Sequence, residues 1–417
     1  MVVVGAGFAG LTLVRALRGR PVDMVLVDRH NYHTFTPLLY QVASALLDPS
    51  QVAHPIRGIV RPIHNLEVRM AEATGVDLAG RRLLTDVEPV SYDFLALCTG
   101  SSNNYFGITG MAGSAFGLKD LEQAMALRNQ VLRRFEEASW TEDAERRRML
   151  LTFAIVGGGP TGVEFSGALS ELIRGVLTRD FPSVYIRETR ILLVEAAPHL
   201  IGAFLPSLRE SARQTLARRG VEVLVNRQVK AIGEDYIELS DSWRINVGTI
   251  VWTAGVRAGD IAAALPSERG RGGTVKVDTS LRLPGHPEVF VIGDLAAVMQ
   301  NGEQLPQLIP PAMQEAKYVA RAILRTLAGE QPEPFRYVDP GMMATIGRNA
   351  GVAEIGPIRL SGFAGWILWL AFHLIQIVTF RSKLVVLVNW AWNYLFLDRP
   401  VRLLVRADGP RETPRSP

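Results

Sequence analysis

The sequence predicts an α/β fold made of two parallel-sheet units, each organised around a glycine-rich turn. Apolar strand, glycine turn and helix follow one another at residues 2–17 and again at residues 151–172. Both turns have the glycine spacing G-x-G-x-x-G. The strand after each helix ends on an acidic residue, Asp28 in the first unit and Glu195 in the second. We therefore interpret the chain as a diverged internal repeat.

The second unit contains the turn Gly157-Gly158-Gly159-Pro160-Thr161-Gly162, between the apolar run 153–156 and a helical segment predicted to carry Glu164 in its first turn. The first glycine of such a motif permits the tight turn, the second lets backbone approach a pyrophosphate, and the third lets helix and strand pack closely. The phosphates lie at the helix N-terminus, where unpaired N–H groups and the helix dipole favour negative charge. One such loop alone is weak support for a nucleotide site, but this one has a counterpart.

The first unit begins with strand 2–4 and the turn Gly5-Ala6-Gly7-Phe8-Ala9-Gly10. Its helix ends near Gly19-Arg20-Pro21, and the second strand closes on Asp28. An acid about 20 residues past the glycines, at the end of the second strand, holds a ribose hydroxyl in Rossmann-type sites. The first fingerprint is complete, and Asp28 and its neighbour Arg29 are cofactor-binding candidates.

Glu195 lies further from its loop than this spacing predicts, and we interpret residues 174–188 as an insertion between helix and strand. An acid at the end of that strand matches Asp28 in position, so Glu195 is the candidate ribose acid. A carboxylate there repels a 2′-phosphate and favours NADH over NADPH. A solvated acid at a strand end is the alternative.

Each unit has a similar turn after a later strand, Cys98-Thr99-Gly100-Ser101 in the first and Thr253-Ala254-Gly255 in the second. Another apolar strand ends in Gly293-Asp294. A strand that runs into glycine brings backbone close to a ligand. Two dinucleotide sites imply two dinucleotides, one of them a tightly held flavin, and hydride transfer is the simplest reaction for such a pair. Cys98 is expected to pack as a small apolar residue rather than act as a thiol.

The composition of the chain disfavours several other classes of protein. The chain has 417 residues, 48% of them hydrophobic and 21% charged, which suits two or three folded domains. A net charge of +4 without a dense basic block does not suggest a nucleic-acid partner. The single cysteine excludes an internal disulfide, a C-x-x-C pair and a cysteine zinc site, and no metal site is expected. The first residues lead straight into the glycine turn, so no secretory signal peptide is expected.

Two further segments are unusual. Residues 31–41 are too apolar and aromatic for a solvated loop, and we expect them to cover a cofactor or a partner surface, with His33 as a hydrogen-bonded structural residue. Pro310-Pro311 is predicted to open a helix that continues to about Leu327. The positive end of this helix is suited to stabilising the negative charge of a reduced flavin.

Along nearly its whole length the chain resembles the type II NADH dehydrogenases, the single-subunit NADH:quinone oxidoreductases. The matching motifs are GAGFAGL at Gly5, NYHTFTPLLYQVA at Asn31, CTGS at Cys98, GGGPTGVEFSGALSE at Gly157, VWTAG at Val251, VIGD at Val291, MATIGRNAG at Met343 and LVNWAWNYLFLDR at Leu387. The glycine loops occur in every two-dinucleotide flavoenzyme. The Asn31 segment and the C-terminal motifs are more specific.

The resemblance implies an α/β fold with two Rossmann-like dinucleotide-binding domains in a glutathione-reductase-like arrangement, plus a C-terminal membrane-associated helical segment. The expected division is an FAD-binding domain at 1–115 and 266–335, an NADH-binding domain at 116–265, and a membrane-association and quinone-access region at 336–417. FAD would be held by Gly5, Gly7, Phe8, Ala9, Gly10, Asp28, Arg29, Thr99, Gly100, Gly293 and Asp294. NADH would be held by the loop 157–162, Glu195 and Gly255.

Two catalytic candidates follow from the resemblance, Glu164 and Gln314. A glutamate just past the second glycine loop lies near the nicotinamide and flavin in this family, but Glu164 is equally explained as an acid favoured at a helix start. Gln314 lies on the helix near flavin and quinone. Family members often carry Ala-Gln at the start of that helix, where this chain has Ile309-Pro310, so the details of the quinone pocket are open.

The C-terminal tail is the candidate membrane contact. Residues 363–380 contain no charge, and their polar groups His373, Gln376 and Thr379 fall on one sector of a helix. The tail carries aromatic residues suited to a lipid interface and basic residues suited to anionic head groups. They are Trp366, Trp369, Trp390, Trp392, Tyr394, Arg381, Lys383, Arg399, Arg402 and Arg406. We favour one or two interfacial helices, with a single span or a dimer-packing helix as alternatives.

The predicted function is a non-proton-pumping NADH:quinone oxidoreductase, bound peripherally to the cytoplasmic face of the cell membrane and reducing a lipid quinone. A homodimer is possible. The missing cysteine pair disfavours a disulfide reductase and a sulfide:quinone oxidoreductase, and the aromatic tail disfavours a soluble carrier reductase. A membrane-docked flavoprotein that reduces another acceptor, or senses NADH without turnover, remains open.

Overall fold

The structure, a computed structural model, describes residues 1–108, 113–182, 184, 186–399 and 401–404. Its first part forms most of one α/β unit. In chain order its elements are β1 (Val2–Val4), α1 (Phe8–Ala16), β2 (Met24–Asp28), β3 (Tyr32–Thr34), α2 (Leu39–Ala43), α3 (Pro49–Val52), β4 (Ala53–Pro55), α4 (Ile56–Val60), β5 (Leu66–Met70), β6 (Ala73–Asp77), β7 (Arg82–Thr85), β8 (Val90–Ser91), β9 (Leu95–Leu97) and β10 (Ser101–Asn103).

The middle of the chain forms the second unit. Its elements are β11 (Phe116–Gly117), α5 (Leu121–Trp140), α6 (Ala144–Leu150), β12 (Thr152–Val156), α7 (Pro160–Leu172), α8 (Thr178–Asp180), β13 (Arg190–Val194), α9 (Pro206–Arg218), β14 (Val221–Leu224), β15 (Val229–Ile232), β16 (Tyr236–Leu239), β17 (Arg244–Asn246) and β18 (Thr249–Trp252). A π-helical turn, Ile173–Leu177, joins α7 to α8. The predicted insertion therefore begins as a prolongation of the helix.

The chain then returns to the first unit and ends in a smaller third part. The elements are β19 (Val256–Ala258), β20 (Val275–Lys276), β21 (Arg282–Leu283), β22 (His286–Val291), β23 (Ala296–Ala297), β24 (Met299–Gln300), β25 (Glu303–Gln304), α10 (Ile309–Leu327), β26 (Met342–Gly347), β27 (Ala350–Ile355), β28 (Ile358–Ser361), α11 (Gly362–Gln376) and α12 (Phe380–Phe396). Helix α10 matches the helix predicted from Pro310-Pro311.

The two main sheets repeat one strand order. The first has the order β21-β22-β9-β1-β2-β5, parallel except at the β21 edge, and the second has the wholly parallel order β11-β18-β12-β13-β14. In each sheet the strand that enters the glycine loop has the next strand of the unit on one side and a later strand on the other. The orders are β9-β1-β2 in the first sheet and β18-β12-β13 in the second. Strands β1 and β12 are buried throughout, as parallel strands covered on both faces require. The internal repeat is therefore confirmed, whereas the exact domain limits stay a prediction.

The C-terminal part packs against the second unit through an antiparallel sheet, β26-β27-β28. Helix α11 packs directly on β27 because each element has a glycine, and therefore no side chain, at the contact. A Cβ added to Gly351 would lie 2.7 Å from the backbone nitrogen of Trp366, and one added to Gly365 would lie 2.6 Å from the carbonyl oxygen of Gly351. Both glycines are therefore required by close backbone packing.

The predicted uncharged segment 363–380 is not one helix. Helix α11 ends at Gln376, and Thr379 caps the next helix by accepting a hydrogen bond from the backbone N–H of Ser382 at 3.2 Å. Within the described residues, no helix is long and apolar enough to cross a membrane. The tail is thus a pair of helices of 15 and 17 residues.

Several tail residues that we expected at a lipid interface lie inside the protein. Trp369, His373 and Trp390 are buried, and the indole N–H of Trp390 donates a hydrogen bond to Oε1 of Gln41 at 2.7 Å. The segment 31–41 therefore packs on the chain's own C-terminal helix pair, whereas the predicted cover over a cofactor or a partner surface stays a prediction. Trp392 is 51% exposed and remains available to a membrane.

Arg399 is the clearest correction to the predicted basic surface. The residue is 1% exposed, and its side chain donates hydrogen bonds to the carbonyl oxygens of Ser44 and Ala168, at 2.6 and 3.2 Å. Its Nη2 lies 3.3 Å from Oε2 of Glu171. Arg399 cannot meet a head group because it anchors the tail to α2 and α7. Arg406 lies outside the described residues.

Candidate active site

The first glycine loop is shaped by the three positions of the motif. Gly5 has φ +99°, and a Cβ there would lie 2.5 Å from the carbonyl oxygen of Cys98. A Cβ on Gly10 would lie 1.8 Å from the carbonyl oxygen of Gly5. A Cβ on Gly7 would meet nothing within 4 Å. The outer glycines are therefore fixed by packing, and the middle one faces open space at the start of α1.

The second loop has the same construction. Gly157 has φ +112° and a Cβ there would lie 2.6 Å from the backbone nitrogen of Ala254. A Cβ on Gly162 would lie 1.9 Å from the carbonyl oxygen of Gly157, whereas one on Gly159 would meet nothing within 4 Å. The open side of each loop is where a ligand phosphate can approach backbone N–H groups.

The two strand-end acids make matching hydrogen bonds. Asp28 accepts one from the N–H of Ala6 at 2.6 Å and one from the N–H of His30 at 2.7 Å. Glu195 accepts one from the N–H of Gly158 at 2.6 Å and one from the N–H of Ala197 at 2.7 Å. Each acid thus bonds the residue after the first glycine of its loop and the residue two positions after itself. The insertion 174–188 leaves the position of Glu195 unchanged.

The first loop is completed by polar groups from two other strands. Thr99 presents a buried Oγ1 that has no hydrogen-bond partner among the described residues, and Gly100 has φ +70° with open space above it. Asp294 accepts hydrogen bonds from Ser101 and, at 3.1 Å, from Nζ of Lys119. Gly293 has φ +71°. An unpartnered hydroxyl beside an open glycine cradle fits a bound dinucleotide.

Sequence reasoning gave no role to Glu315. Its Oε2 accepts a hydrogen bond from the backbone N–H of Gly293 at 2.6 Å, so it ties α10 to the Gly293-Asp294 turn. Burial raises the pKa of Glu315 to about 7. The helical spacing of Glu315 with Ala312 and Val319 indicates an inward-facing position and was the available signal.

The remaining nucleotide candidates lie around the two loops. Phe8 and the buried Ala9 begin α1, and Pro160 and Thr161 begin α7 with exposed side chains. The exposed Arg29 lies 3.7 Å from Glu72 in an ion pair. Gly255 is covered by Phe106, whose ring would lie 2.8 Å from an added Cβ.

Glu164 is not a first-turn acid. Helix α7 begins at Pro160, which makes Glu164 its fifth residue, and the helix-dipole effect is confined to the first turn. The side chain is buried, and its Oε1 accepts a hydrogen bond from the backbone N–H of Thr345 at 3.3 Å. Burial raises the pKa of Glu164 to about 8, against smaller lowering effects of Thr345 and the Trp369 side chain. Glu164 therefore links the second loop to β26 and α11 and holds a proton at neutral pH.

This raised pKa predicts a pH-dependent stability. Between about pH 4.5 and 8 the unfolded chain releases the Glu164 proton while the folded protein keeps it, so folding stability falls as pH rises. We expect E164Q to lack this loss, and the difference in unfolding free energy between variant and wild type to grow by up to about 1.4 kcal/mol per pH unit in that window. Chemical unfolding at several pH values measures it, with the exposed Glu142→Gln as control. A difference that does not change with pH would contradict the assignment.

Gln314 lies on α10 with its amide engaged. Its Nε2 donates to the carbonyl oxygen of Val338 at 2.7 Å, and its Oε1 accepts from the N–H of the same residue at 3.0 Å. Ile309 and Pro310 form the first turn of α10, as Pro at a helix start allows. Gln314 therefore fixes the irregular segment between α10 and β26.

An aromatic and polar cluster joins Glu164 to the C-terminal helices. Nε2 of Gln41 donates to the hydroxyl of Tyr40 at 2.8 Å, and the Tyr40 ring centroid lies 6.1 Å from that of Trp369. The Trp369 and His373 rings stack at 4.0 Å. Burial lowers the pKa of His373 to about 4, so its imidazole is neutral at pH 7. Only the tertiary structure brings these groups together.

Two predictions about single residues are confirmed. His33 is buried, and its Nδ1 lies 2.9 Å from the carbonyl oxygen of Ala6, so it supports the first loop. Burial lowers the pKa of His33 to about 4. Cys98 is buried at the end of β9, and burial raises the pKa of its thiol, as expected of a small packing residue.

Comparison with known proteins agrees with this site. The family model of the pyridine nucleotide-disulphide oxidoreductases matches residues 1–316. Type II NADH:quinone oxidoreductase Ndh of Mycobacterium tuberculosis is 38% identical over 414 residues, which cover 96% of this chain and 89% of that protein. NdhA of the same organism is 34% identical over 416 residues, covering 96% and 87%.

A solved structure of NDH2 from Plasmodium falciparum in complex with NADH superposes with a TM-score of 0.89 at 19% identity, covering 97% of this chain and 99% of that one. At this identity the likeness shows the shared fold, including the C-terminal part beyond residue 316. The sequence matches go further, because they span the loops, the acids and the C-terminal helices together. The chain therefore belongs to the pyridine nucleotide-disulphide oxidoreductase family and, within it, to the type II NADH:quinone oxidoreductases.

Proposed function

We propose that the protein oxidises NADH and reduces a lipid quinone at a membrane surface without pumping protons, with FAD as its resident cofactor. The observation that carries this proposal is the pair of matching glycine cradles, one of which leads through buried Glu164 to strand β26 of the C-terminal part. FAD supplies the two-electron chemistry between the two substrates. The protein's residues bind and orient the substrates and hold protons.

The first loop, Asp28, Thr99-Gly100 and Gly293-Asp294 would hold FAD. Gly7 leaves room for phosphate, Asp28 offers carboxylate to ribose, and the Thr99 hydroxyl offers a buried polar atom. Glu315 fixes the Gly293 turn from α10. The second loop would hold NADH in the same manner, with Glu195 in the place of Asp28.

Glu164 is proposed as the catalytic carboxyl beside the reacting rings. It lies one helical turn inside α7, it is buried, and it carries a proton at neutral pH. Gln314 is proposed on the acceptor side, where it holds the segment that leads to β26 and Thr345. A proton delivered to quinone needs such a donor close to a dry, apolar site.

The acceptor is proposed to enter beside α11 and α12. Their outer faces expose large apolar side chains, among them Phe363, Ile367, Ile375, Phe380, Leu384, Val388 and Leu395. Exposed apolar surface of this extent marks a membrane or protein contact. We assign it to one leaflet on the cytoplasmic side, with a homodimer as the competing partner for the same surface.

The proposed function is tested by flavin absorbance. Adding NADH to the purified protein without oxygen should bleach the flavin band, and adding a quinone should restore it. A protein that contains FAD and is not reduced by NADH would contradict the proposal. Reduction by NADH without reoxidation by any quinone would favour another acceptor or a sensor.

Glu195 gives a prediction on nucleotide choice. The wild type should prefer NADH, because a carboxylate at the ribose repels a 2′-phosphate. We expect E195Q, which keeps an oxygen for the N–H of Gly158, to lower the NADH/NADPH ratio of kcat/KM roughly ten-fold, the equivalent of one lost charge contact. Steady-state kinetics with both nucleotides measure this. The exposed Glu234→Gln is the control, and an unchanged ratio in E195Q would remove Glu195 from the ribose site.

A further inference from the structure

A cleft of about 310 Å³ lies at the far end of α7 from the NADH loop. Its lining includes Glu171, Arg174, Arg219, Arg348 and Leu397. At 1.5 Å per residue, Glu171 lies about 18 Å along the helix from Gly159, so the cleft is separate from the nucleotide site. Its volume falls within the range of small-ligand pockets, about 300–1,000 Å³.

Two of the arginines around the cleft form ion pairs with Glu171. Nη1 of Arg219 lies 2.7 Å from Oε1 of Glu171, and Nη2 of Arg399 lies 3.3 Å from Oε2, behind the cleft. The backbone N–H of Arg348 also donates to Oε1. One carboxylate is therefore shared by two guanidinium groups, and its two oxygens are engaged.

The other two arginines, Arg174 and Arg348, form no ion pair with a carboxylate of any described residue. Arg174 is exposed. Arg348 stacks over Tyr394, 4.1 Å from the ring centroid, and its Nη2 donates to the carbonyl oxygen of that residue. Its Nε is buried without a hydrogen-bond partner among the described residues. A buried donor left unpaired indicates that a partner is missing.

The charge around the cleft is strongly positive. Arg174, Arg219 and Arg348 line the cleft, and Glu171 is the one carboxylate in its lining. The neighbouring acids Asp180 and Asp398 are engaged by Arg402, at 2.8 and 3.4 Å. Guanidinium groups bind phosphate through paired hydrogen bonds, so the chemistry favours a phosphate-bearing anion.

One residue that lines the cleft, Leu397, has a large apolar side chain. Leu397 follows the last turn of α12, where Leu395 is 71% exposed and Phe396 is 54% exposed. Further along the tail, Leu403 is 64% exposed. A basic cleft beside exposed apolar side chains matches a molecule with an anionic head and an apolar tail.

We propose that this cleft binds the phosphate group of an anionic lipid, whose acyl chains lie along the exposed end of α12. The proposal rests on the membrane association proposed above and adds a specific head-group site to it. The site fixes the orientation of the tail because Arg348 and Glu171 connect it to β27, α7 and, through Arg399, to α2.

The test uses the full-length protein, R174Q and the control R179Q. Arg174 lines the cleft, whereas Arg179 on α8 is also exposed and does not line it. Binding is measured by co-sedimentation with phosphatidylcholine vesicles and with vesicles that also contain phosphatidylglycerol. We expect R174Q to bind the anionic vesicles about five-fold more weakly than wild type, from roughly one lost charge contact. R179Q should bind like wild type, and no difference is expected on phosphatidylcholine.

Equal losses in R174Q and R179Q would overturn the head-group site, since they would indicate general electrostatic attraction.

A second experiment compares the effect of inorganic phosphate on the unfolding temperature with that of sodium chloride at equal ionic strength. If phosphate raises the unfolding temperature of wild type but not of R174Q, while both bind anionic vesicles equally, a free phosphate occupies the cleft and the lipid assignment is wrong. If wild type binds no vesicles at all, the proposed membrane association itself is wrong. NADH:quinone turnover in detergent is expected to be unchanged in R174Q.

Discussion

Replacing Gly159 with valine is expected to lower kcat/KM for NADH roughly a hundred-fold, the scale of loss that misplacing a bound substrate produces. A Cβ at Gly159 meets nothing within 4 Å, and the backbone there has φ −71° and ψ −179°, which any residue adopts. The substitution therefore leaves the fold intact and fills only the space that a pyrophosphate needs. Flavin content and unfolding temperature should stay at wild-type values.

The internal repeat supplies the matched control. Gly7 has φ −72° and ψ −164° and equally open space, so G7V should fill the first cradle instead. We expect G7V to lose flavin on purification and G159V to keep it. Steady-state kinetics and the flavin-to-protein ratio measure the two effects. A G159V protein with normal NADH kinetics, or one that loses flavin, would contradict the assignment of the two loops.

Replacing Arg399 with methionine is expected to destabilise the protein by about 3 kcal/mol, near the low end for one side of a buried ion pair. The change leaves the carbonyl oxygens of Ser44 and Ala168 without this donor in a buried place. Glu171 keeps its pair with Arg219 and is itself only partly buried, so the cost stays at the low end. Chemical unfolding in detergent measures the change.

The exposed Arg381, at the start of α12, is the control for this experiment. R381M should change the unfolding free energy little, because exposed charges contribute about 0–1 kcal/mol. The conservative R399K should recover part of the loss, since lysine retains the charge but not the fork of donors. If R399M unfolds like R381M, the tail is not anchored through this side chain.

The nucleotide loops were predictable because their determinants are local. The turn needs glycine at Gly5 and Gly157 for positive φ, and it needs the third glycine where helix and strand touch. The positive φ and the contact between the first and third glycines both act within the loop itself. The strand-end acids follow from the same unit, and for this reason the insertion before β13 did not hide Glu195.

The regular elements were predicted for a similar reason. Helix α10 begins where proline is favoured, and strand Val2–Val4 has the predicted bounds. A long apolar or periodic run between turn residues is compatible with few secondary structures other than the predicted one. The tail was harder, since a run of uncharged residues does not show where a helix ends or which face is covered.

Residues whose surroundings come from distant segments were not predictable. The sequence placed Glu164 in a first turn, whereas β26 and α11 bury it from about 180 to 205 residues further along the chain. Arg399 and Trp390 belong to a basic, aromatic tail by composition, yet Glu171 and Gln41 bind them inside the protein.

The sequence by itself determined two dinucleotide cradles, their order and the acid that completes each, because short-range sterics and hydrogen bonds decide those features. The tertiary structure alone decided which carboxyl keeps a proton, which tail residues face outward, and where two arginines meet Glu171. Burial and net local charge depend on segments brought together by folding, and no window of the sequence contains them.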